Sequence, residues 1–210
     1  MSITCIAEYF TFAKDVVIAT AAAIGAFVAF RGLSTWNRQL KGGVEYDLAR
    51  RILKCTYRMR EAIKGVRNPV MWGNEMPTPE ESKAAVMTGA QLRHYGKANA
   101  YQKRLDVVAE KLSDLQTEIL EAEAIWGRII YEEFEPLFKL QRELQSSVYA
   151  YVSGSNPNEP EHMRAAFREM QRNQRDILYD LSNSTPDEYS LNISLAIENI
   201  ESFLKTHLRK

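Results

Sequence analysis

VVIATAAAIGAFVAF, residues 16–30, is a run of fifteen residues without a charge. At about 1.5 Å per residue it gives roughly 22 Å of helix, short of the ~30 Å hydrocarbon core of a bilayer. A span therefore has to recruit residues upstream. Ile3, Ile6, Ala7, Tyr9, Phe10, Phe12 and Ala13 supply apolar surface there, broken by Glu8, Lys14 and Asp15. Tyr9, Phe10 and Phe12 suit an interfacial aromatic belt.

Charge then orients the run. From Arg31 to Arg67 there are ten basic and three acidic residues, whereas upstream of the run only Lys14 is basic. Positive loops stay on the cytoplasmic side, so the N-terminus is expected outside and the body inside. A cleaved signal peptide would carry its positive charge before the apolar run. A buried core helix of a soluble protein is the other alternative to a membrane anchor.

Ala21, Gly25 and Ala29 recur every fourth residue, and small residues at that spacing let helix backbones approach closely in lipid. The expectation is a helix that associates with copies of itself. Lys14 and Asp15 are costly inside a membrane segment. They fit either the mouth of a pore in an oligomer or an interfacial pair marking the water boundary.

Beyond the anchor the chain reads helical throughout, which sets the expected fold class. It is all-α, with a transmembrane helix and juxtamembrane segment over 1–43 and a cytoplasmic bundle or coiled-coil body over 44–210. Gly42-Gly43 is expected to break the first helix. Leu48, Ile52, Cys55, Met59, Ile63 and Val66 then recur at helical spacing, and Asn68-Pro69 ends that segment. Thr78-Pro79-Glu80-Glu81 and Thr185-Pro186-Asp187-Glu188 each read as a helix start with threonine as cap. Leu105, Val108, Leu112, Leu115, Ile119, Ala122, Trp126 and Ile129 form a heptad seam, with Pro136 expected to bend the helix beyond it. GSNPNEP, residues 154–160, reads as a loop, and helices near 160–182 and 187–208 complete the body.

No catalytic constellation is visible. His94, His162 and His207 are scattered, and there is no phosphate-binding glycine loop or nucleophile elbow. Cys5 and Cys55 fall on opposite sides of the expected membrane, so they are not expected to pair. No cofactor or metal is expected, nor an enzyme.

Three basic clusters carry the functional reading. Arg164, Arg168, Arg172 and Arg175 step by four, four and three, which places them on one helical face, with Glu161, Glu169 and Asp176 mostly off it. Such a stripe can fork onto phosphates, or it can pair with the acidic 105–145 segment. Arg93, Tyr95 and Tyr101, with His94, Lys97, Lys103 and Arg104, interleave aromatics with cations as single-strand binders do. Arg50, Arg51, Lys54, Tyr57, Arg58, Arg60, Lys64 and Arg67 lie next to the expected membrane, where attraction to anionic headgroups accounts for them.

Trp36-x-x-Gln39-Leu40-x-Gly42, then Leu48-Ala49-x-x-Ile52-Leu53, then Tyr57-x-x-Arg60-x-x-Ile63-x-x-x-Arg67-Asn68-Pro69 make up a longer pattern. It resembles a group of small bacterial proteins with one N-terminal membrane helix and a helical cytoplasmic body, over about the first third of the chain. By size and layout the chain also resembles the transmembrane effectors of the Hailong anti-phage system. That resemblance implies a homo-oligomer in the bacterial inner membrane. It would be held inactive by a single-stranded DNA oligomer from a partner nucleotidyltransferase and would open a channel when the oligomer is lost. A membrane-tethered scaffold that recruits a protein through 105–145 is the alternative function.

Overall fold

The computed structural model describes residues 3–180 and 186–208, without the side chains of residues 3–13, 15, 34, 35, 37 and 38. Among the described residues all regular structure is helical. The elements are α1 (Ile3–Arg67), α2 (Glu81–Ala84), α3 (Gly89–Trp126), α4 (Ile129–Gly154), α5 (Glu161–Arg172) and α6 (Glu188–Leu208). The chain divides into two compact units, Met1–Tyr46 and Asp47–Arg209.

The first unit is the N-terminal part of α1. Val16–Leu33 has a mean hydropathy of 2.0 and none of it is buried inside the chain. This stretch is long and apolar enough to cross a membrane. The helix begins at Ile3, so the residues before Lys14 are helical and the shortness of the 16–30 run ceases to be an obstacle. Ala21, Gly25 and Ala29 are exposed, and a Cβ added at Gly25 would meet no atom within 4 Å. Lys14 is exposed, while the side chain of Asp15 lies outside the described residues.

Gly42-Gly43 does not break the helix, which runs unbroken to Arg67. Glycine in a helix interior costs only about 1 kcal/mol relative to alanine, and the long helical flanks from Ile3 and on to Arg67 outweigh two such losses.

The second unit has one hydrophobic core. The end of α1 contributes Leu48, Ile52, Met59, Ile63 and Val66, the face expected from their spacing. Val108, Leu115, Ile119 and Ala122 come from α3; Ile130, Phe134, Leu137 and Leu144 from α4; Ile193, Ile197, Ile200 and Leu204 from α6. α4 packs against α3, α5 and α6. The heptad seam is thus spent inside the chain. It is also shorter than expected, because α3 stops at Trp126 and Ile129 lies exposed at the start of α4.

Gly127 makes that break. Its φ of 80° with ψ of −174° is a backbone region essentially reserved for glycine. Nothing crowds the site, since an added Cβ would meet no atom within 4 Å. The expected result for G127A is a loss of about 1–3 kcal/mol from backbone strain alone, read as a lower urea midpoint. Pro136 sits inside α4, seven residues beyond its first residue, and is not where the long element breaks.

Two other boundaries differ from expectation, while α6, Glu188–Leu208, starts within a residue of the expected 187. Thr78 does not start a helix: the four-residue α2 begins at Glu81, and its N-cap Glu80 makes no side-chain cap. The capping box belongs to Thr88 and Gln91 at the head of α3, where each side chain bonds the other's backbone N–H. At α6, Thr185 lies outside the described residues, and Asp187 caps by accepting from the Ser190 N–H at 2.7 Å. The helix expected to reach 182 ends at Arg172, and Ile177 and Leu178 continue as non-helical chain in the core.

Candidate functional site

α1 and α3 run alongside each other with opposite direction, as their cross-links show. Arg51 bonds Glu118 at 2.8 Å near one end, and Arg104 bonds the Asn68 carbonyl at 2.6 Å at the other. Between them lies the largest cavity described in the second unit, a groove of about 970 Å³. α1 lines it with Arg50, Leu53, Lys54, Tyr57, Arg58 and Ala62, α3 with Val107 and Lys111, and the loop after α1 with Trp72.

Arg50, Lys54 and Arg58 follow each other at every fourth residue, so they share one face of α1. All three are exposed, and none has an ion-pair partner among the described residues. Across from them Lys111 is paired with Glu110 and Asp114. The acids that reach the groove are already engaged. Glu61 pairs with Arg60 and Lys64, and Glu75 with Arg104. The Arg104 guanidinium holds the Glu75 carboxyl below the usual carboxylate range, against the upward push of burial. Tyr57 closes the wall by donating from its hydroxyl to Glu201 at 2.8 Å, and burial together with that bond pushes its phenol up.

Trp72 is placed by the loop. Its N–H donates to a Glu75 carboxylate oxygen at 3.0 Å, and its carbonyl accepts from the Glu75 N–H at 2.9 Å. Glu75 is gripped in turn by Arg104, so the indole stands at the groove with 65% of its surface exposed. An exposed tryptophan lining the same groove as three unpaired cations is a site for an anion with a flat or apolar body.

The basic clusters expected from sequence are redistributed. Arg164 and Arg168 lie on α5, but both pair with Glu161, which therefore shares their face instead of lying off it. Arg175 lies beyond the end of α5 and is held by Glu143 and Glu188 at 2.7 and 3.0 Å. Its pairing with Glu143 is the contact with the acidic 105–145 segment that was the alternative to a phosphate. Arg172 is exposed and has no ion-pair partner among the described residues. The four arginines do not form one free stripe, because the helix that would align them ends at Arg172.

In the second cluster Arg93 is exposed and Tyr95 half-buried. Tyr101 is 1% exposed and packs edge-on against Tyr151 at 5.7 Å, so no base can stack on it. Arg104 is buried and spent on the loop. In the third cluster Arg67 is buried, Arg51 and Arg60 are paired, and only Arg50, Lys54 and Arg58 remain together and unpaired. Trp72 carried no sequence signal of its own; its isolated position in a loop after a proline was the only cue.

Cys55 is buried and free, and burial pushes its thiol up. Among the described residues no three His, Cys, Asp or Glu side chains come together as metal ligands. In comparisons with known proteins, no family model, curated protein or solved structure matches the chain.

Proposed function

We propose that the chain is a homo-oligomeric membrane effector of bacterial defence, in which N-terminal helices assemble into a bilayer pore whose opening follows an anionic ligand on the helical body. The observation that carries this reading is Val16–Leu33. It is apolar, wholly unburied within the chain and free of packing around Gly25. Eighteen residues with Arg31 as their only charge, left bare, cost too much in water and are stable in lipid. There the Ala21, Gly25 and Ala29 ridge gives copies a close-packing face, with Lys14 and Asp15 at the outer mouth.

Supporting the ligand half of the proposal are exposed cations with no ion-pair partner among the described residues: Arg50, Lys54 and Arg58, and separately Arg93 and Arg172. The resemblance supplies a single-stranded DNA oligomer from a nucleotidyltransferase, for which Arg93, Tyr95 and Arg172 stay accessible. The proposed location is the inner membrane, single-pass, with the N-terminus outside. The scaffold alternative has less support, because the seam meant to recruit a partner is buried inside the chain.

Full-length protein in liposomes tests the pore. Ion flux that changes on adding a short single-stranded oligodeoxynucleotide is the expected result. G25L is expected to lower the flux at least several-fold while leaving the protein in the bilayer, because bulk at Gly25 holds helices apart. Protein that passes no ions under any condition is a tether, not a channel.

A further inference from the structure

The α1–α3 groove is not uniform along its length. Arg50, Lys54 and Arg58 cover about 12 Å of α1 at one end. Lys111 belongs to this half, since it lies within reach of the positive charge of Arg58. From Ala62 to Asn68 the wall changes character. Ala62, Gly65, Val107 and Trp72 line it, and its charges are internally settled, Glu61 with Arg60 and Lys64, Glu75 with Arg104. One half has unpaired positive charge and the other has apolar surface ending on an exposed indole.

We infer that this groove binds an anionic lipid, its phosphate or carboxylate on Arg50, Lys54 and Arg58 and its hydrocarbon chain along Ala62, Val107 and Trp72. Charge complementarity fixes the end at which the headgroup sits. A polyanion such as an oligonucleotide needs cations along its whole path. Here the second half offers it the carboxylates of Glu61 and Glu75 and no uncommitted cation. A wholly apolar ligand would leave three cations unanswered. Only a molecule charged at one end matches both halves. Headgroup attraction to a bilayer surface would use the same cations, but it would place no chain against Trp72.

This inference rests on the proposed function for the membrane assignment and takes over Arg50, Lys54 and Arg58 from its ligand half, and ion flux recorded on the same liposomes reports the pore separately. The test uses full-length protein carrying W36F, which removes the exposed indole just past Leu33 and is the background for every further variant, in phosphatidylcholine vesicles with a lysophosphatidate whose acyl chain carries bromine, which quenches nearby indoles. The expected result is a saturable loss of fluorescence that is absent in W72F. In R50Q/R58Q the half-saturating lipid is expected to rise about tenfold or more. Both arginines are exposed, so that variant keeps its helical circular dichroism. Brominated lysophosphatidylcholine, with the same chain and no net charge, is expected to quench Trp72 weakly.

Equal quenching by the two lipids, unchanged in R50Q/R58Q, would mean that Trp72 merely touches bilayer, and would overturn the inference. So would quenching that W72F leaves intact. If a short oligothymidylate displaces the lipid and itself binds tenfold more weakly to R50Q/R58Q, the groove is a nucleic-acid site and the lipid assignment fails.

Discussion

Replacing Arg67 by methionine is expected to lower the stability of the second unit by about 3–5 kcal/mol. Arg67 is the last residue of α1 and its side chain is 2% exposed. Its Nε donates to the Ile177 carbonyl at 2.7 Å, and its two other nitrogens reach the Ser190 hydroxyl at 2.7 Å, the Tyr179 carbonyl at 3.2 Å and the Asp187 carboxylate. The guanidinium also lies 4.7 Å from the centre of the Tyr189 ring. The backbone answers, as the Asp180 N–H donates to the Arg67 carbonyl at 2.9 Å. One side chain therefore ties the end of α1 to the non-helical 177–180 segment and to the start of α6. Methionine keeps the volume and leaves two carbonyls and a carboxylate without their donor, and an unmade buried bond costs more than a made one contributes. R67K is expected to recover only part of the loss, because an ammonium cannot present the planar fork. The urea midpoint of the full chain in detergent, followed by circular dichroism, measures this.

Acid provides a second reading of the same cluster. Burial pushes the Asp187 carboxyl up, but the bonds from Arg67 and the Ser190 N–H outweigh it and hold the group below its ordinary 3.8. A carboxylate depressed in the folded state adds stability that is complete above its unfolded value and is lost as pH falls through the folded one. Glu75 and Glu143 are depressed in the same direction by Arg104 and Arg175, each against burial. Stability is therefore expected to fall below about pH 4, after a smaller loss on going from pH 8 to 6, because burial holds the His94 imidazole below its ordinary 6.5 and so favours its neutral form. In R67M the acid limb is expected to be shallower, since only the Ser190 bonds are then left to hold the Asp187 carboxyl down.

The second large effect is expected at Arg104, where methionine should cost about 3 kcal/mol and loosen the 68–77 loop. Its side chain is 8% exposed and donates to the carbonyls of Asn68 and Val70, each at 2.6 Å, and to both oxygens of Glu75 at 3.0 and 2.8 Å. A cation at a helix C-terminus answers carbonyls that the helix itself leaves open. Arg104 does this for α1 from a neighbouring helix and also fixes the turn that presents Trp72. Chymotrypsin is expected to cut R104M near Trp72 much faster than the parent chain, while G127A, which is strained elsewhere, should leave that cut rate unchanged. Equal cutting of R104M and the parent would separate Arg104 from the loop.

Helical periodicity made the core legible. Leu48, Ile52, Met59, Ile63 and Val66 had to share a face wherever that face turned, and Val108, Leu115, Ile119 and Ala122 likewise. Boundaries were less legible, since Thr78-x-x-Glu81 and Thr88-x-x-Gln91 carry the same local pattern and only the second caps a helix. Gly127 stood inside an intact heptad, and nothing local told its glycine from a tolerated one. The site was harder still. Spacing put Arg50, Lys54, Arg58 and Arg67 in one basic cluster, but Arg67 has its partners more than 100 residues away. Which cations remain free depends on pairings that only the packed chain creates, as Arg175 with Glu143 shows.

The proposal rests on α1 crossing a membrane through Val16–Leu33 with its N-terminus outside. Alkaline extraction of bacterial membranes, combined with a membrane-impermeant maleimide on intact spheroplasts carrying S2C in a C5S background, tests it most directly. Cys55 is buried and leaves the S2C thiol as the accessible one. The expected result is protein that stays in the membrane pellet and is labelled from outside before lysis. Protein released by alkali, or labelled only after lysis, would contradict it.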